Sequence, residues 1–357
     1  MEYQPIPEPK KRRWAGVIGA IVAIGLVVIV ALLVLPSIFS ISSFLSSNDS
    51  TSTFVVSPAN NSNSSVPSST VEITYPANYD QLVNYSLTII NENRTSSGLS
   101  TVVLSPEPSG QQHADSMLAN NYFSHWDTQG EKPYMRYTAL NGTGFVEENV
   151  AYEYTSLPTF TSTIQVQRAI GSLEWQMMNN DSECCSNGHR DNILNSFHNR
   201  VSIGVSYDAT HVYFVEDFET FLTSLVTPIS QGNIATLSGN TSGTINPNSV
   251  LIFYDPLPTP LSSDEINSQY FGPYGQGTFL GGIVPPCNNL LSRCLQFAQG
   301  ITDQASTWQI AGNTINIQFS LSDFIQKNGS GVYTVYLVQG SQDAPEFLTS
   351  ISVFISS

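Results

Sequence analysis

Residues 201–219 read VSIGVSYDATHVYFVEDFE, and this stretch decides the fold. Apolar and polar side chains alternate through VSIGVSY and again through HVYFVEDFE, which is the pattern of a pair of antiparallel strands. Upstream, apolar residues recur at helical spacing over residues 79–97, 108–121 and 164–178. Helices followed by an antiparallel strand pair predict a mixed α+β layer domain that ends near residue 222.

The composition and the residue pattern of the sequence change after about residue 230. Short runs rich in β-branched and aromatic residues, such as SVLIFYD, GVYTVYLVQG and EFLTSISVFIS, are separated there by Gly, Pro and Asn. Such runs at short spacing predict an all-β sandwich of the immunoglobulin-like kind. The predicted boundaries are residues 76–225 for the mixed domain and residues 230–357 for the β-sandwich domain. The second domain shows no catalytic constellation and is interpreted as a spacer or adhesion module.

The N-terminal region carries a predicted membrane anchor. Residues 14–35 read WAGVIGAIVAIGLVVIVALLVL without a charge, and at about 1.5 Å per residue this helix would reach roughly 33 Å, enough to cross a hydrocarbon core. The basic residues 10–13 precede it, which predicts a cytoplasmic tail over residues 1–13 and an extracellular location for the rest of the chain. A cleaved signal peptide is the alternative. RRWAGVIGAIV also resembles archaeal pilin leaders, which leaves a pilin-type structural component of the envelope open.

Residues 36–75 are dominated by Ser, Thr, Asn and Pro and predict a flexible, glycosylated stalk. The formal net charge of −16 leaves no basic surface for phosphates, which excludes nucleic acid as a partner. The weakly charged, sequon-rich composition resembles the style of cell-surface proteins from thermoacidophilic archaea. N-linked glycans are expected on the N-x-Ser/Thr sequons of a translocated chain, which here begin at Asn48, Asn60, Asn63, Asn84, Asn93, Asn141, Asn180, Asn240 and Asn328.

The chain has four cysteines, Cys184, Cys185, Cys287 and Cys294. Outside the cell they are expected to pair, and four cysteines allow three connectivities. A Cys287–Cys294 bridge closes a short loop and is the simplest pairing. Cys184 and Cys185 can then pair with each other as a vicinal disulfide or across domains. A soft metal site at the adjacent pair is the alternative, but no CxxC pair accompanies it, so structural bridges are favoured.

Four phrases follow one another in the mixed domain: YFSHWDTQGEKPYMRYTA at residues 122–139, EENVAYE at 147–153, GSLEWQMMNND at 171–181 and NGHRDNILN at 187–195. They resemble the CAP superfamily, also called the SCP domain, of cysteine-rich secretory, antigen 5 and pathogenesis-related proteins, in its prokaryotic form. The resemblance is confined to this domain. It implies an α-β-α sandwich with a cleft that holds two histidines and two acidic residues.

Carried onto this chain, the resemblance implies a cleft formed by His125, Glu148, Glu174 and His189. Glu183 is the alternative to Glu174 as the second acid. The residue before the first acid is Gly in the family and Glu147 here. His113, on the predicted helix over residues 108–121, is interpreted as structural.

The chemistry of such a cleft has two forms. Two neutral imidazoles and carboxylates can hold a divalent metal such as zinc and leave positions for water, or they can form a hydrogen-bonded network without a metal. With a metal, Glu148 or Glu174 would be the base of a peptidase-like hydrolase. The sequence contains no GxSxG, P-loop or HExxH motif for other catalytic chemistry. Two extracellular modules on a flexible stalk suit binding at a distance. The favoured function is a cell-surface protein that binds an extracellular protein, lipid or glycan; the hydrolase and the structural envelope component are the alternatives.

Overall fold

A four-stranded sheet organises the first module of the protein. The structure is a computed structural model that describes residues 76–226, 229–230, 233–287, 300–341 and 344–356. All of them lie in the second of two contact-defined units, Ser50–Ser357. The elements of the first module are α1 (Tyr79–Ser96), β1 (Val103–Leu104), α2 (Ser109–Asn120), α3 (Pro133–Ala139), β2 (Phe145–Tyr154), α4 (Thr163–Asn179), α5 (Ser182–Cys185), α6 (Gly188–Ile193), β3 (Arg200–Tyr207) and β4 (His211–Thr220).

The mixed α/β class predicted for this module is confirmed. Helices α1, α2 and α4 occupy the three predicted helical stretches to within a residue or two. Strands β3 and β4 pair antiparallel, with Val205 opposite Phe214. The sequence did not predict β2 as a strand. It pairs antiparallel with β4, and β1 pairs parallel with β3, so the strand order is β1-β3-β4-β2.

Alternation of side chains along β4 divides the buried residues between the two faces of the sheet. Phe214 and Phe218 pack in one core with residues of α1 and α4. Tyr213 and Val215 pack in another with residues of α2. Helices therefore cover both faces, which gives the α-β-α layering.

A pair of glycines lets α2 approach β3 closely. A Cβ built on Gly204 would overlap the backbone carbonyl of Gly110. Beside this contact, the buried Gln111 side chain donates to the Val205 carbonyl at 3.1 Å and accepts from the Val205 amide at 2.9 Å. These contacts set the height of α2 above the sheet, and α2 carries His113.

The described residues of the second module form two sheets and two short helices. Their elements are β5 (Thr223–Val226), β6 (Ile229–Ser230), β7 (Ile234–Thr241), β8 (Ser249–Asp255), α7 (Ser263–Gln269), β9 (Thr278–Val284), β10 (Ile301–Gln304), β11 (Thr307–Ala311), β12 (Thr314–Ser320), α8 (Ser322–Asn328), β13 (Gly331–Ser341), β14 (Ala344–Phe347) and β15 (Ile351–Ile355). One sheet has the order β10-β9-β8-β13-β14 with β15 paired to β13, and the other has the order β11-β12-β7-β5 with β6 paired to β7.

The two sheets enclose one core. Leu237 and Ile317 of one sheet and Ile252 and Val335 of the other belong to the same buried cluster. Strands β9 and β10 pair parallel, whereas β8 and β9 pair antiparallel. Two packed sheets are therefore present, whereas an immunoglobulin-like topology is not shown.

Polar contacts join the two modules around Asp255, at the end of β8. Lys132 lies 2.7 Å from its carboxylate, and the Tyr134 hydroxyl donates to it at 2.6 Å. At a second contact between the modules, the Ser124 hydroxyl donates to the carbonyl oxygen of Tyr270 at 2.7 Å. The loop and helix that follow α2 are thereby held against residues 255–275.

In the part of the chain that the structure describes, no helix combines the length and the apolar character needed to cross a bilayer. The predicted anchor over residues 14–35, the tail before it and the stalk after it all lie outside the described residues.

Replacement of Gly204 by Ala is expected to destabilise the protein by roughly 1–3 kcal/mol, since the new methyl group would push α2 away from β3. Urea denaturation monitored by circular dichroism measures the change. Gly243→Ala is the matched control, because a Cβ at Gly243 meets no atom within 4 Å. Equal stability of the two variants would contradict the close-contact interpretation.

Candidate functional site

A buried carboxylate, that of Glu148 on β2, is the centre of the site. Its side chain is fully enclosed. Nδ1 of His125, in the loop after α2, lies 2.9 Å from Oε1, and the guanidinium of Arg136 on α3 donates to Oε2 at 2.7 Å. Nδ1 of His113 on α2 lies 3.1 Å from Oε2. Side chains from three separate segments thus converge on one acid.

Arg136 also holds the segment that carries His125. Its Nη1 donates to the carbonyl oxygen of His125 at 2.8 Å and to that of Glu131 at 2.9 Å. A guanidinium provides several donors in a fixed plane, so it can bind a carboxylate and backbone carbonyls at once. Arg136 therefore couples the charge of Glu148 to the conformation of the loop.

The charges around Glu148 keep it ionised. Burial by itself would raise the pKa of Glu148, but His113 and Arg136 outweigh this effect and hold the pKa well below its usual range. Burial and the charge of Arg136 lower the pKa of His113. Arg136 is therefore the permanent cation that neutralises Glu148.

A second acid, Asp217 on β4, faces the same pocket. It lies directly opposite Glu148 in the β2–β4 register and is 2% exposed. Burial and the negative charge of Glu148 raise the pKa of Asp217 well above its ordinary value. Asp217 therefore favours its protonated form, which can donate to the Glu148 carboxylate.

Tyr274 of the second module closes this pocket. Its hydroxyl accepts a hydrogen bond from the backbone amide of Glu148 at 3.1 Å, and its ring centroid lies 4.8 Å from that of His125. The second module thus covers the cleft of the first.

Glu174, the second predicted acid, lies on the opposite face of the sheet. It interacts with Glu216 on β4, next to Asp217 in sequence and therefore on the other side of the strand. The Asn93 side chain donates to Glu174 at 2.7 Å, and the Asn149 side chain donates to Glu216 at 3.0 Å.

Burial raises the pKa values of Glu174 and Glu216, and Glu174 raises that of Glu216 further. The two carboxyl groups therefore favour a protonated pair. The side-chain amide of Asn93, the first residue of a sequon, is engaged by its hydrogen bond to Glu174.

Glu147, at the position where the family has Gly, points to that same face. Its carboxylate lies 3.1 Å from Nε2 of the buried His198 and accepts from the Asn195 side chain at 3.3 Å. The departure from the family pattern is thus accommodated by a polar partner.

His189, the second predicted histidine, pairs with Asp181. Its Nδ1 lies 2.6 Å from Asp181 Oδ1, and the backbone amides of His189 and Arg190 donate to Oδ2 at 2.9 and 3.2 Å. Cys184 and Cys185, between these partners in sequence, form a vicinal disulfide. Cys287 is also disulfide-bonded, and Cys294, its predicted partner, lies outside the described residues.

The four predicted cleft residues are thus divided into three sets of contacts. His125 and Glu148 lie together on the α2 face, Glu174 pairs with Glu216 on the α1/α4 face, and His189 pairs with Asp181. Glu183, the alternative acid, belongs to α5, and its side chain lies outside the described part of the chain. A metal site built from the four residues stays a prediction.

The first module matches a family model. Residues 87–218 correspond to the model of CAP, the cysteine-rich secretory protein family. The match supports a CAP domain in this chain. Among the curated proteins, no sequence matches.

Solved structures also show similarity to the chain. An extracellular protein containing an SCP domain from Bacillus anthracis str. Ames is 22% identical, with a TM-score of 0.30, and the match covers 39% of this chain and 40% of that one. The CAP domain of Enterococcal PrgA is 15% identical, with a TM-score of 0.31, and the match covers 40% of this chain and 62% of that one. The chain therefore spans less than two thirds of the length of either structure.

The Glu148 pocket of the first module does not suit a divalent metal. Both carboxylate oxygens already have short contacts, and the Arg136 cation beside Oε2 would repel a dication. Nε2 of His113 is buried without a hydrogen-bond partner, but a single imidazole nitrogen next to a guanidinium is a poor site. Glu174, on the other face, favours its protonated form, and a metal ligand must be deprotonated.

A different set of donors does converge. One atom each of Asp181, Cys184, Cys185 and His189 lie within 4.8 Å of one another. Across residues 76–226 and the other described ranges, no further group of three or more His, Cys, Asp or Glu ligands meets this criterion. His189 is the only residue that this group shares with the predicted cleft.

Sequence reasoning missed Arg136, Asp217 and Tyr274. Arg136 lies inside the phrase at residues 122–139, so the resemblance in that phrase could have identified it. Asp217 could have been found from its place in HVYFVEDFE, where a strand interior carries an acid on each face. No sequence pattern indicated Tyr274, because it reaches the pocket from the other module.

Replacement of Glu216 by Gln is expected to flatten the pH dependence of stability. Because the pKa values of Glu174 and Glu216 are raised above 4.5 in the folded chain, their contribution to stability is full below that pH and is lost as pH rises through the raised values. The unfolding free energy of wild type minus that of Glu216→Gln should therefore decrease as pH rises through the raised values.

Urea denaturation over a pH series measures both slopes. Glu92→Gln, on the exposed side of α1, makes the same charge change without burial and should keep the wild-type slope. The shared-proton interpretation fails if Glu216→Gln and Glu92→Gln give the same slope.

Proposed function

We propose that this chain is a cell-surface protein whose CAP domain and β module together bind an extracellular glycan. One observation carries the proposal, a strip of aromatic rings along the β2 edge of the first sheet, in which Tyr152, Tyr154 and Phe271 are exposed and Tyr213 is buried. This aromatic strip consists of Phe271, Phe123, Tyr152, Tyr213, His211 and Tyr154.

The strip follows from strand geometry. Tyr152 and Tyr154 are alternate residues of β2 and therefore project from one face. In the β2–β4 register they lie opposite Tyr213 and His211. The ring centroids are 6.0 Å apart for Tyr152 and Tyr213 and 5.0 Å apart for Tyr154 and His211. Because β2 is the last strand of the sheet, this ladder of rings reaches the surface.

The strip continues onto the second module. The ring of Phe123 lies 4.6 Å from that of Tyr152 and 6.0 Å from that of Phe271. Tyr152, Tyr154 and Phe271 are 45%, 59% and 69% exposed. Contiguous exposed apolar groups of this kind mark binding surfaces, and both modules contribute to this one.

The chemistry of the strip favours a neutral sugar. Tyrosine offers a flat apolar face and a hydroxyl that hydrogen-bonds at its rim, which complement the CH face and the hydroxyls of a sugar ring. The net charge of −16 opposes anionic lipid surfaces and acidic polymers. A neutral glycan meets no such repulsion.

The state of Glu148 favours binding over hydrolysis. A general base must reach the proton that it removes, whereas both oxygens of Glu148 are engaged and Tyr274 covers the pocket. The predicted anchor, stalk and sequons fit an extracellular, membrane-attached binding protein and remain part of this proposal.

An oligosaccharide array tests the proposal with the full-length chain in detergent. Wild type is expected to bind a subset of neutral oligosaccharides, and the double variant Tyr152→Ala/Tyr154→Ala is expected to lose at least about tenfold in affinity, because two stacking faces are removed. The double variant Leu157→Ala/Ile164→Ala is the control, since these side chains are exposed and outside the strip.

Circular dichroism of each variant checks whether it is folded. Equal binding by wild type and the tyrosine variant would contradict the proposal. Binding to phosphatidylcholine or phosphatidylglycerol vesicles in place of any oligosaccharide would overturn the glycan assignment.

A further inference from the structure

We infer that the segment from Asp181 to His189 is a redox-gated site for a thiophilic divalent cation of the zinc and cadmium class. With the Cys184–Cys185 disulfide closed, the segment holds no metal; when a dithiol reductant opens the disulfide, two thiolates, the Asp181 carboxylate and the His189 imidazole bind one ion. This site is separate from the Glu148 pocket and does not depend on the glycan proposal.

The local backbone brings the four ligands together. Helix α5 ends at Cys185, and the next two residues, Ser186 and Asn187, have left-handed φ angles of 54° and 68°. Two successive residues in this conformation reverse the chain. As a result His189, eight positions after Asp181, returns to it and its Nδ1 lies 2.6 Å from the carboxylate.

Asp181 anchors the site. It is 3% exposed and accepts hydrogen bonds from the backbone amide of His189, while Sγ of Cys184 lies 3.6 Å from its Oδ1. Oδ1 of Asp181 and Nδ1 of His189 now share a hydrogen bond. When an ion replaces that proton, both atoms become ligands of the same ion.

The oxidation state of the cysteines decides whether a cation binds. A disulfide sulfur carries no charge and is a weak donor, whereas a thiolate is a strong ligand for zinc. A donor set of two thiolates, an imidazole and a carboxylate matches the tetrahedral preference and the intermediate softness of zinc. Closing the disulfide therefore removes two of the four ligands at once.

The reaction balances with a dithiol as the reductant. The dithiol supplies two electrons and two protons, the Sγ–Sγ bond breaks, two thiols form, and the reductant closes to its own disulfide. Metal binding then releases the two thiol protons. Cys184 is exposed and Cys185 is half-buried, so a small dithiol can reach the bond.

Cadmium titration of the full-length chain in detergent tests the inference. The chain is reduced with dithiothreitol, separated from it under argon, and titrated while the ultraviolet absorption of the cadmium–thiolate bond is recorded. The reduced chain is expected to bind one cadmium ion with this absorption, and the oxidised chain to show none. Zinc is expected to displace the cadmium.

Variants assign the binding to this segment. Cys184→Ser/Cys185→Ser should abolish the signal, and His189→Ala should weaken binding by at least about tenfold. Cys287→Ser/Cys294→Ser should bind as wild type, which excludes the other bridge. His211→Ala is the matched histidine control, because His211 also pairs with an aspartate, Asp208, but does not belong to the converging group of Asp181, Cys184, Cys185 and His189.

Each result decides the inference. No cadmium–thiolate absorption in the reduced chain, or undiminished binding in Cys184→Ser/Cys185→Ser or in His189→Ala, would overturn it. Circular dichroism of every variant in both redox states shows whether a lost signal reflects lost ligands or lost folding, and His189→Ala, which keeps both cysteines, tests the ligand set if the double serine variant does not fold.

Discussion

The buried ion pair between Glu148 and Arg136 is the constraint on which the rest of the first module depends. A carboxylate without solvent contact is stable only when a counter-charge and hydrogen bonds replace its water. Arg136 supplies the charge and also binds the backbone of the loop that carries His125. Charge neutralisation and loop position are therefore one arrangement. The backbone amide of Glu148 also donates to Tyr274 of the second module, which covers the pocket.

The sheet separates two polar environments that the sequence presents as one cleft. On the α2 face, the permanent charge of Arg136 keeps Glu148 ionised. On the α1/α4 face, no cation among the described residues pairs with Glu174 or Glu216, and burial makes them favour a shared proton. Two acids on neighbouring strands thus have opposite protonation preferences, because alternate residues of a strand point to opposite faces. Neither environment is suited to a divalent metal.

The local pattern of the sequence predicted most of the first module. Helical spacing located α1, α2 and α4, and alternation located the β3–β4 hairpin, because amphipathic periodicity depends only on which face is buried. The motif phrases located His125, Glu148 and His189 but not their partners. Which acid meets which histidine depends on strand register and on approach from distant segments, as with Asp217 and Tyr274, and periodicity carries no information about either. No sequence pattern predicted the left-handed turn at Ser186 and Asn187, which brings His189 back to Asp181.

A double-mutant cycle on Arg136 and Glu148 tests the central ion pair most directly. The unfolding free energies of wild type, Arg136→Met, Glu148→Gln and the double variant give their coupling energy. A coupling of about 2–3 kcal/mol is expected, with Arg136→Met the least stable of the four, because it leaves a buried carboxylate without a counter-charge. Additive effects of the two substitutions, or an Arg136→Met chain as stable as wild type, would contradict the account.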